Sequence, residues 1–290
     1  MTPQEILFII NPVSEEKKKV NTRALIDKYI DKDKIKIVIE YSKYAGHAYE
    51  LAKEATNRFK KIVAVGGDGT VNQVSRALVG SGSAMGIIPL GSGNGLARAL
   101  NIPVKPAKAM ARIIQAGKVT IDSGIINGHH FINMAGIGFD AEVAHTFGLE
   151  GKRGLKAYVK EVLHHLKTYK PSTFSFEEGS SQLEISPFLL SIANSSQYGN
   201  NAHISPLASF DDGLLDVCVL KKFPLWKSPA IGARLFFQTM HKSHYMDIFQ
   251  VTKCVVKNSE KVKGHIDGEP VFFEGDIIIE SNPGSITILA

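Results

Sequence analysis

The segment Gly66-Gly67-Asp68-Gly69-Thr70 lies between an apolar run, Ile62 to Val65, and a helix-like run, Val71 to Val79. A strand that passes straight into a helix through glycines brings backbone N–H groups close to an anion, because glycine takes positive φ and adds no side chain. The segment therefore reads as a phosphate-binding turn. Asp68 is no phosphate ligand by itself. Beside a triphosphate a carboxylate either holds Mg²⁺ or its waters, or accepts a proton from an attacking hydroxyl. On these five residues alone the plain alternative is a tight turn whose Asp caps the helix.

A chain of 290 residues, 44% of them hydrophobic, has ample material for one large or two ordinary domains. The long charge-free stretches, Ala77 to Ala97 and Ile185 to Phe210, are broken by Gly, Ser, Asn and Pro, so no transmembrane helix is expected. The start, Met1 to Glu5, has no basic region ahead of the strand-like Ile6 to Ile10, so no signal peptide is expected either. Cys218 and Cys254 then read as reduced and cytoplasmic.

The net charge of +6 is modest and unevenly spread, and no nucleic-acid partner is expected. From Gly151 to Lys170 six basic residues face Glu161 alone, with Leu155, Val159, Val162, Leu163, Leu166 and Tyr169 at helical spacing. This reads as a basic amphipathic helix, either resting on anionic lipid or merely solvated. Lys221 to Met246 carries five basic residues, no acids, and Phe223, Leu225, Trp226, Phe236 and Phe237. That composition suits an acyl-chain pocket or a membrane rim, and equally an ordinary core.

Organisation changes near residue 122. Before it, strands at Ile6 to Ile10, Ile35 to Glu40, Ile62 to Val65 and Met85 to Pro89 alternate with helices near Asn21 to Ile30, Ala45 to Arg58 and Val71 to Val79, an open α/β sheet. Ligands of such sheets bind at the carboxyl ends of the strands, where Asn11-Pro12, Tyr41 to Gly46, the Gly66 loop and Gly91 to Gly95 fall. After residue 122, short runs at Phe131 to Ala135, Thr173 to Glu177, Phe188 to Ala193, Leu215 to Leu220, Phe249 to Val256, Lys263 to Ile266, Asp276 to Glu280 and Ser285 to Leu289 read as an antiparallel β domain. The expected domains are 1–122 and 123–290.

Better-known motifs do not account for these loops. There is no GxxxxGK[ST]; Gly136 to Ala141 fits a dinucleotide pattern only loosely, inside the β half. The adjacent pairs His129-His130 and His164-His165 lack supporting zinc ligands, and Ser195-Ser196 sits in no GxSxG elbow.

Gly66 to Thr70, followed by Pro89-Leu90-Gly91-Ser92-Gly93-Asn94-Gly95-Leu96-Ala97, resembles the diacylglycerol kinase catalytic domain family, which includes bacterial diacylglycerol and sphingoid-base lipid kinases. Asn11-Pro12, Gly46-His47-Ala48, Asn133 to Ala141, Asp211 to Asp216 and Asp267-Gly268-Glu269-Pro270 extend the resemblance over nearly the whole chain. It implies an N-terminal open α/β nucleotide domain like that of NAD kinases, a C-terminal antiparallel β-sandwich, and an active site in the cleft between them.

The resemblance implies ATP as co-substrate, with Asn11, Ser42, Gly66, Gly67, Asp68, Gly69, Thr70, Gly91, Ser92, Gly93 and Asn94 binding it. One of Lys17, Lys18 and Lys19 is a further candidate, although Ser14-Glu15-Glu16 replaces the usual glycine-rich lead. The attacking hydroxyl needs a proton acceptor while Mg²⁺ and amides hold the charge. Asp267, with Glu269 nearby, is the first candidate and Asp68 the second. Read alone, Asp267-Gly268 is a hairpin turn. Asp212, with the carbonyls of Ser209 and Leu214, resembles a structural Mg²⁺ site of some bacterial members; an Asx turn without metal is the alternative.

Gly95 stands where bacterial diacylglycerol kinases usually carry Asp, and Asp140 where sphingosine kinases carry a head-group Asp, so diacylglycerol and a sphingoid base both stay open. The expectation is an ATP- and Mg²⁺-dependent lipid kinase, cytoplasmic and in peripheral contact with anionic membrane, with a homodimer left open. The rivals are an enzyme like NAD kinase, whose later Asn-Glu motif is missing, and a lipid-binding regulator without catalysis.

Overall fold

Two runs rich in Val, Ile and Ala, β3 (Lys61–Gly66) and β4 (Ala84–Pro89), lie side by side in parallel and are buried along almost their whole length. Continuous apolar strands of this kind belong in a parallel sheet covered on both faces. They form part of a computed structural model that describes residues 4–115, 117–149, 162, 164–166, 169, 171–179 and 181–290. The chain divides into two units, Met1–Ile121 with Gly284–Ala290, and Asp122–Pro283.

In the first unit β2 (Ile35–Tyr41), β1 (Gln4–Ile10), β3 and β4 are neighbours in that order, all parallel. The helices are α1 (Pro12–Lys18), α2 (Thr22–Tyr29), α3 (His47–Ala55), α4 (Asp68–Leu78), α5 (Gly95–Ala99) and α6 (Pro106–Gln115). Stretch 12–18, which sequence offered only as a source of phosphate-binding lysines, is helical for local reasons. Asn11 accepts from the Ser14 amide at 3.2 Å, Pro12 opens the helix, and Lys19 closes it in the left-handed region at φ 52°.

The chain passes between the units along β5 (Lys118–Ile126) and β16 (Ile277–Leu289). Sequence placed 284–290 in the second domain, but Thr287 and Ile288 pair in parallel with Ala84 and Met85 of the first unit's sheet. The two runs read as separate strands, Asp276 to Glu280 and Ser285 to Leu289, are one strand.

The second unit holds an antiparallel sheet in the order β12 (Met246–Val251), β11 (Leu215–Leu220), β10 (Leu189–Ala193), β7 (Met134–Gly138), β14 (Val262–Ile266) and β15 (Glu269–Phe273). Facing it are β13 (Lys253–Lys257), β8 (Phe174–Glu178), β9 (Ser181–Ile185) and the start of β16, with β5 pairing β6 (His129–Phe131). The alternation along β10 sorts its side chains: Leu190 and Ile192 join Phe174, Phe176 and Val256 in the core between the layers, while Leu189 and Ala193 join Phe139, Phe188 and Phe223 on the other face. That other face is covered by α7 (Phe139–Leu149) and α8 (Ser228–Phe236), helices that the sequence reading of this half, strands with one basic helix over Gly151 to Lys170, did not contain. The run Phe249 to Val256 is two strands in different layers, the switch falling at Thr252, whose carbonyl accepts from Ser281. The basic helix expected over Gly151 to Lys170 lies outside the described residues except at Val162, 164–166 and Tyr169.

Asn194 joins three segments of this unit: its side-chain amide donates to the carbonyls of Asp122 at 2.9 Å and Ile132 at 2.8 Å, in a fully buried position. Asn194→Ala strands both carbonyls, at about 1–3 kcal/mol each. The urea midpoint is expected to fall with an unchanged slope; a midpoint equal to that of the parent chain would contradict this role.

Candidate active site

Because the strands of the first unit are parallel, their carboxyl ends share one edge, and backbone bonds continue the sheet into the loops there. The Asn11 amide donates to Val65 O, Ser42 to Ile10 O, and Leu90 to Gly66 O. The two glycine loops meet at this edge. A Cβ on Gly91 would stand 2.9 Å from Gly67 Cα and 2.8 Å from Asn94 Oδ1, and one on Gly66 would stand 2.6 Å from Thr70 Oγ1. Glycine at 91 lets one loop's backbone close on the other's, and glycine at 66 makes room for the Thr70 side chain.

Asp68 locks the two loops together. Its Oδ2 accepts the Asn94 amide at 2.9 Å and its Oδ1 the Gly95 amide at 2.6 Å, so the carboxylate caps the start of α5 rather than its own helix. Asn94, at φ 50°, closes its loop from the other side: its Oδ1 accepts the Gly91 amide at 2.8 Å and its Nδ2 donates to Gly91 O at 3.2 Å. The Gly91 to Gly95 turn thus commits three of its amides, one to Asn94 within the turn and two to Asp68. The first loop spends fewer. Its helix, α4, is 11 residues long and begins at Asp68, and its N-cap residue, Gly67, has no side chain to cap it. A helix of that length presents its first N–H groups and the positive end of its dipole to whatever lies at the strand end. Above Gly69 a Cβ would meet nothing within 4 Å. A phosphate fits this corner, and the one negative side chain in it is already engaged by two amides.

Asn11 Nδ2 donates to the buried Thr70 Oγ1 at 3.2 Å, which orients both residues beside the loop. Ser42 is half-buried, with Oγ 3.5 Å from Ile10 O, and Ser92 is exposed. Lys17, Lys18 and Lys19 are exposed at the far end of α1, about 10 Å of helix from Asn11. Sequence treated Gly66 to Thr70 and Gly91 to Asn94 as equivalent phosphate loops; the hydrogen bonds divide their labour, the first presenting amides and the second bracing it.

In the second unit Asp267 and Gly268 do form a hairpin turn, at φ 51° and 82°, between β14 and β15. The Asp267 carboxylate is more than a turn residue. It accepts backbone amides from Ile132 at 3.0 Å, Asn133 at 2.8 Å and Met134 at 3.2 Å, while its own N–H donates to Met134 O. Sequence read Phe131 to Ala135 as one strand. It breaks into β6 and β7 because residues 132–134 turn their amides to this carboxylate. Three amides on one carboxylate fix its plane. Glu269 is half-buried two residues on.

Behind Asp267, on β14, His265 Nε2 lies 3.0 Å from Asp140 Oδ2, both residues buried, and Tyr198 donates its hydroxyl to the same oxygen at 3.2 Å. A Cβ on Gly136 would stand 2.7 Å from that oxygen and 3.0 Å from His265 Nε2, so glycine makes the room. His265 Nδ1 is buried and has no hydrogen-bond partner among the described residues. Burial first, then the charges of Asp140 and Glu142, pushes the Tyr169 phenol up, so it stays protonated. The dinucleotide-like Gly136 to Ala141 does run from strand to helix, but Asp140 and Glu142 in the first turn of α7 make that terminus a poor seat for pyrophosphate.

Asp212 Oδ1 accepts the Leu214 amide at 3.0 Å, closing an Asx turn, and Ser209 Oγ donates to Asp211 Oδ1 at 2.5 Å. Among the described residues no cluster of three or more His, Cys, Asp and Glu is poised for a metal. An exposed carboxylate with neighbouring carbonyls is nevertheless an all-oxygen set of the kind a hard cation takes while keeping its waters.

Residues 5–126 match the family described as the diacylglycerol kinase catalytic domain, and residues 133–290 match the YegS C-terminal NAD kinase beta sandwich-like domain. The chain belongs to the YegS-type diacylglycerol kinase family. Its relatives include a diacylglycerol kinase of Bacillus subtilis, 33% identical with 78% of this chain and 76% of that protein covered. A Pseudomonas aeruginosa protein named "Probable lipid kinase YegS-like" is 38% identical over 84% and 81% of the two chains. In fold the chain is similar to a diacylglycerol kinase of Bacillus anthracis, with TM-score 0.76, 20% identity and coverage of 100% and 97%. An Archaeoglobus fulgidus NAD kinase solved in complex with ATP shares the fold more distantly, at TM-score 0.53 and 12% identity over 99% and 94%.

The sequence motifs picked out two loops that the fold brings together at one edge, but not their internal wiring. Nothing in the spacing of Asp68 and Gly95 announces that the carboxylate caps the second helix, and the Asp140–His265 pair joins residues 125 positions apart. Of that pair the family resemblance singled out Asp140, and His265 stood only as a polar residue in a strand-like run.

If Asp68 is a brace, Asp68→Asn replaces an acceptor with a donor facing an amide. The nucleotide-free protein is expected to lose about 1–3 kcal/mol of stability. A thermal midpoint equal to that of the parent chain would show that the carboxylate does not brace the second loop.

Proposed function

We propose that this chain transfers the γ-phosphoryl group of ATP to a lipid hydroxyl, that of diacylglycerol or of a sphingoid base. The observation carrying the reading is the uncapped α4 terminus behind a glycine loop whose own carboxylate is held by Asn94 and Gly95, in a chain of a lipid kinase family. The Bacillus subtilis relative's name and the ATP in the Archaeoglobus fulgidus title support the acceptor and the donor, respectively.

The amides opening α4, with Thr70 and Asn11, hold the phosphates. Asp68 and Asn94 keep the second loop from moving away. Mg²⁺, when bound with the nucleotide, neutralises charge on the phosphoryl oxygens. Asp267, its carboxylate plane fixed by three backbone amides, orients the attacking hydroxyl and takes the proton late, as a loose phosphoryl-transfer transition state permits. Glu269 supports it. The reading of Ser209, Asp212 and Leu214 as a structural Mg²⁺ site belongs to the same proposal.

The test is incubation with labelled ATP and Mg²⁺ over diacylglycerol in mixed micelles, sphingosine, and NAD in separate arms. Label is expected in a lipid phosphate and to vanish with EDTA. Label confined to NAD, or none in any arm, would reject the reading. Asp267→Asn is expected to lower kcat by about 100-fold or more with nucleotide binding retained. Turnover within a few fold of the parent chain would remove Asp267 from the chemistry.

A further inference from the structure

We infer that an apolar ridge running from Leu225 to Phe237 in the second unit is a docking surface for an anionic lipid bilayer. This goes beyond the phosphoryl-transfer reading and does not depend on which lipid is phosphorylated.

A surface helix ordinarily turns its apolar stripe inward. α8 does this with Ile231 and Leu235, which pack into the core around Phe139, Phe188 and Phe223. Its opposite side is apolar as well. Pro229, Ala230, Ala233, Phe236 and Phe237 recur at i, i+1, i+4, i+7 and i+8, a single helical face that is exposed at Pro229, Ala230, Phe236 and Phe237. At its start the turn Leu225–Lys227 adds two more outward side chains. Trp226 and Phe237 are 76% and 77% exposed, and Leu225 and Phe236 51% and 47%. Single exposed apolar residues are common, but four large ones on one short element mark an interaction site.

Charge identifies the partner. Residues 221–246 contain Lys221, Lys222, Lys227, Arg234 and Lys242 and no acid. The neighbouring acid, Asp247, is paired with Lys221 at 2.7 Å. Lys227 Nζ lies 5.0 Å from the Trp226 ring centroid and 5.4 Å from that of Tyr245, so a cation sits beside the most exposed aromatic on the ridge. Trp and Phe with flanking Lys and Arg are the side chains that settle at the boundary of acyl chains and anionic head groups. A protein partner would match the apolar face equally; the one-signed rim is what favours the bilayer.

Trp226 is the chain's single tryptophan and reports on the ridge directly. Fluorescence of the full chain is recorded during titration with vesicles of phosphatidylglycerol and phosphatidylcholine, and with phosphatidylcholine alone. A blue shift is expected with the anionic vesicles, together with co-flotation. Phe236→Ala with Phe237→Ala is expected to weaken partitioning at least about tenfold, and Lys222→Glu with Lys227→Glu by about fivefold per lysine. Both double variants are expected to keep the parent thermal midpoint and the parent turnover on a short-chain, water-soluble acceptor. That separates failure of docking from failure of the kinase reading. No shift with anionic vesicles, equal binding to neutral ones, or a solution dimer whose Trp226 is already blue-shifted without lipid would each overturn the inference.

Discussion

The bonds from the Asp68 carboxylate to the Asn94 and Gly95 amides hold the first unit's functional edge in one arrangement. Two glycine-rich loops have little side-chain packing to fix them, and ordering such segments costs conformational entropy. Here a charged acceptor satisfies both of the second loop's helix-opening amides, and Asn94 closes that loop on itself. The same bonds engage the negative charge that would otherwise oppose a phosphate at the start of α4. One interaction therefore gives rigidity and leaves a local field suited to anions.

The second unit uses the same device in another place. Asp267 gathers three amides of residues 132–134, as Asp68 gathers two of residues 94–95. In both units a carboxylate placed at a turn organises backbone from a distant segment. Buried Asp140 and His265, with the partly buried Tyr198, add a polar layer behind Asp267.

Much of the framework was legible in the sequence because the buried parallel strands β1, β3 and β4 read as plain apolar runs, and the half-exposed edge strand β2 kept Ile35, Ile37, Val38 and Ile39. The glycine motifs were legible for a related reason: close backbone approach excludes every other residue. What escaped notice depended on partners far along the chain. Helix α1 rests on the Asn11 cap, the break between β6 and β7 on a carboxylate more than 130 residues away, and the change of layer at Thr252 on which neighbour each half of the run found. Helix α8 was obscured because apolar residues on both faces erase the periodicity that would have revealed it.

The central claim is that the phosphates sit on the amides opening α4, with the Gly91 to Gly95 turn as their brace. Backbone amide shifts of the labelled protein, followed by NMR as ATP and Mg²⁺ are added, test it most directly. The account predicts the largest changes at Gly67, Asp68, Gly69 and Thr70, with Gly95 retaining its Asp68-bonded position. Changes concentrated at Gly91 to Gly95, with Gly67 to Thr70 unmoved, would contradict it.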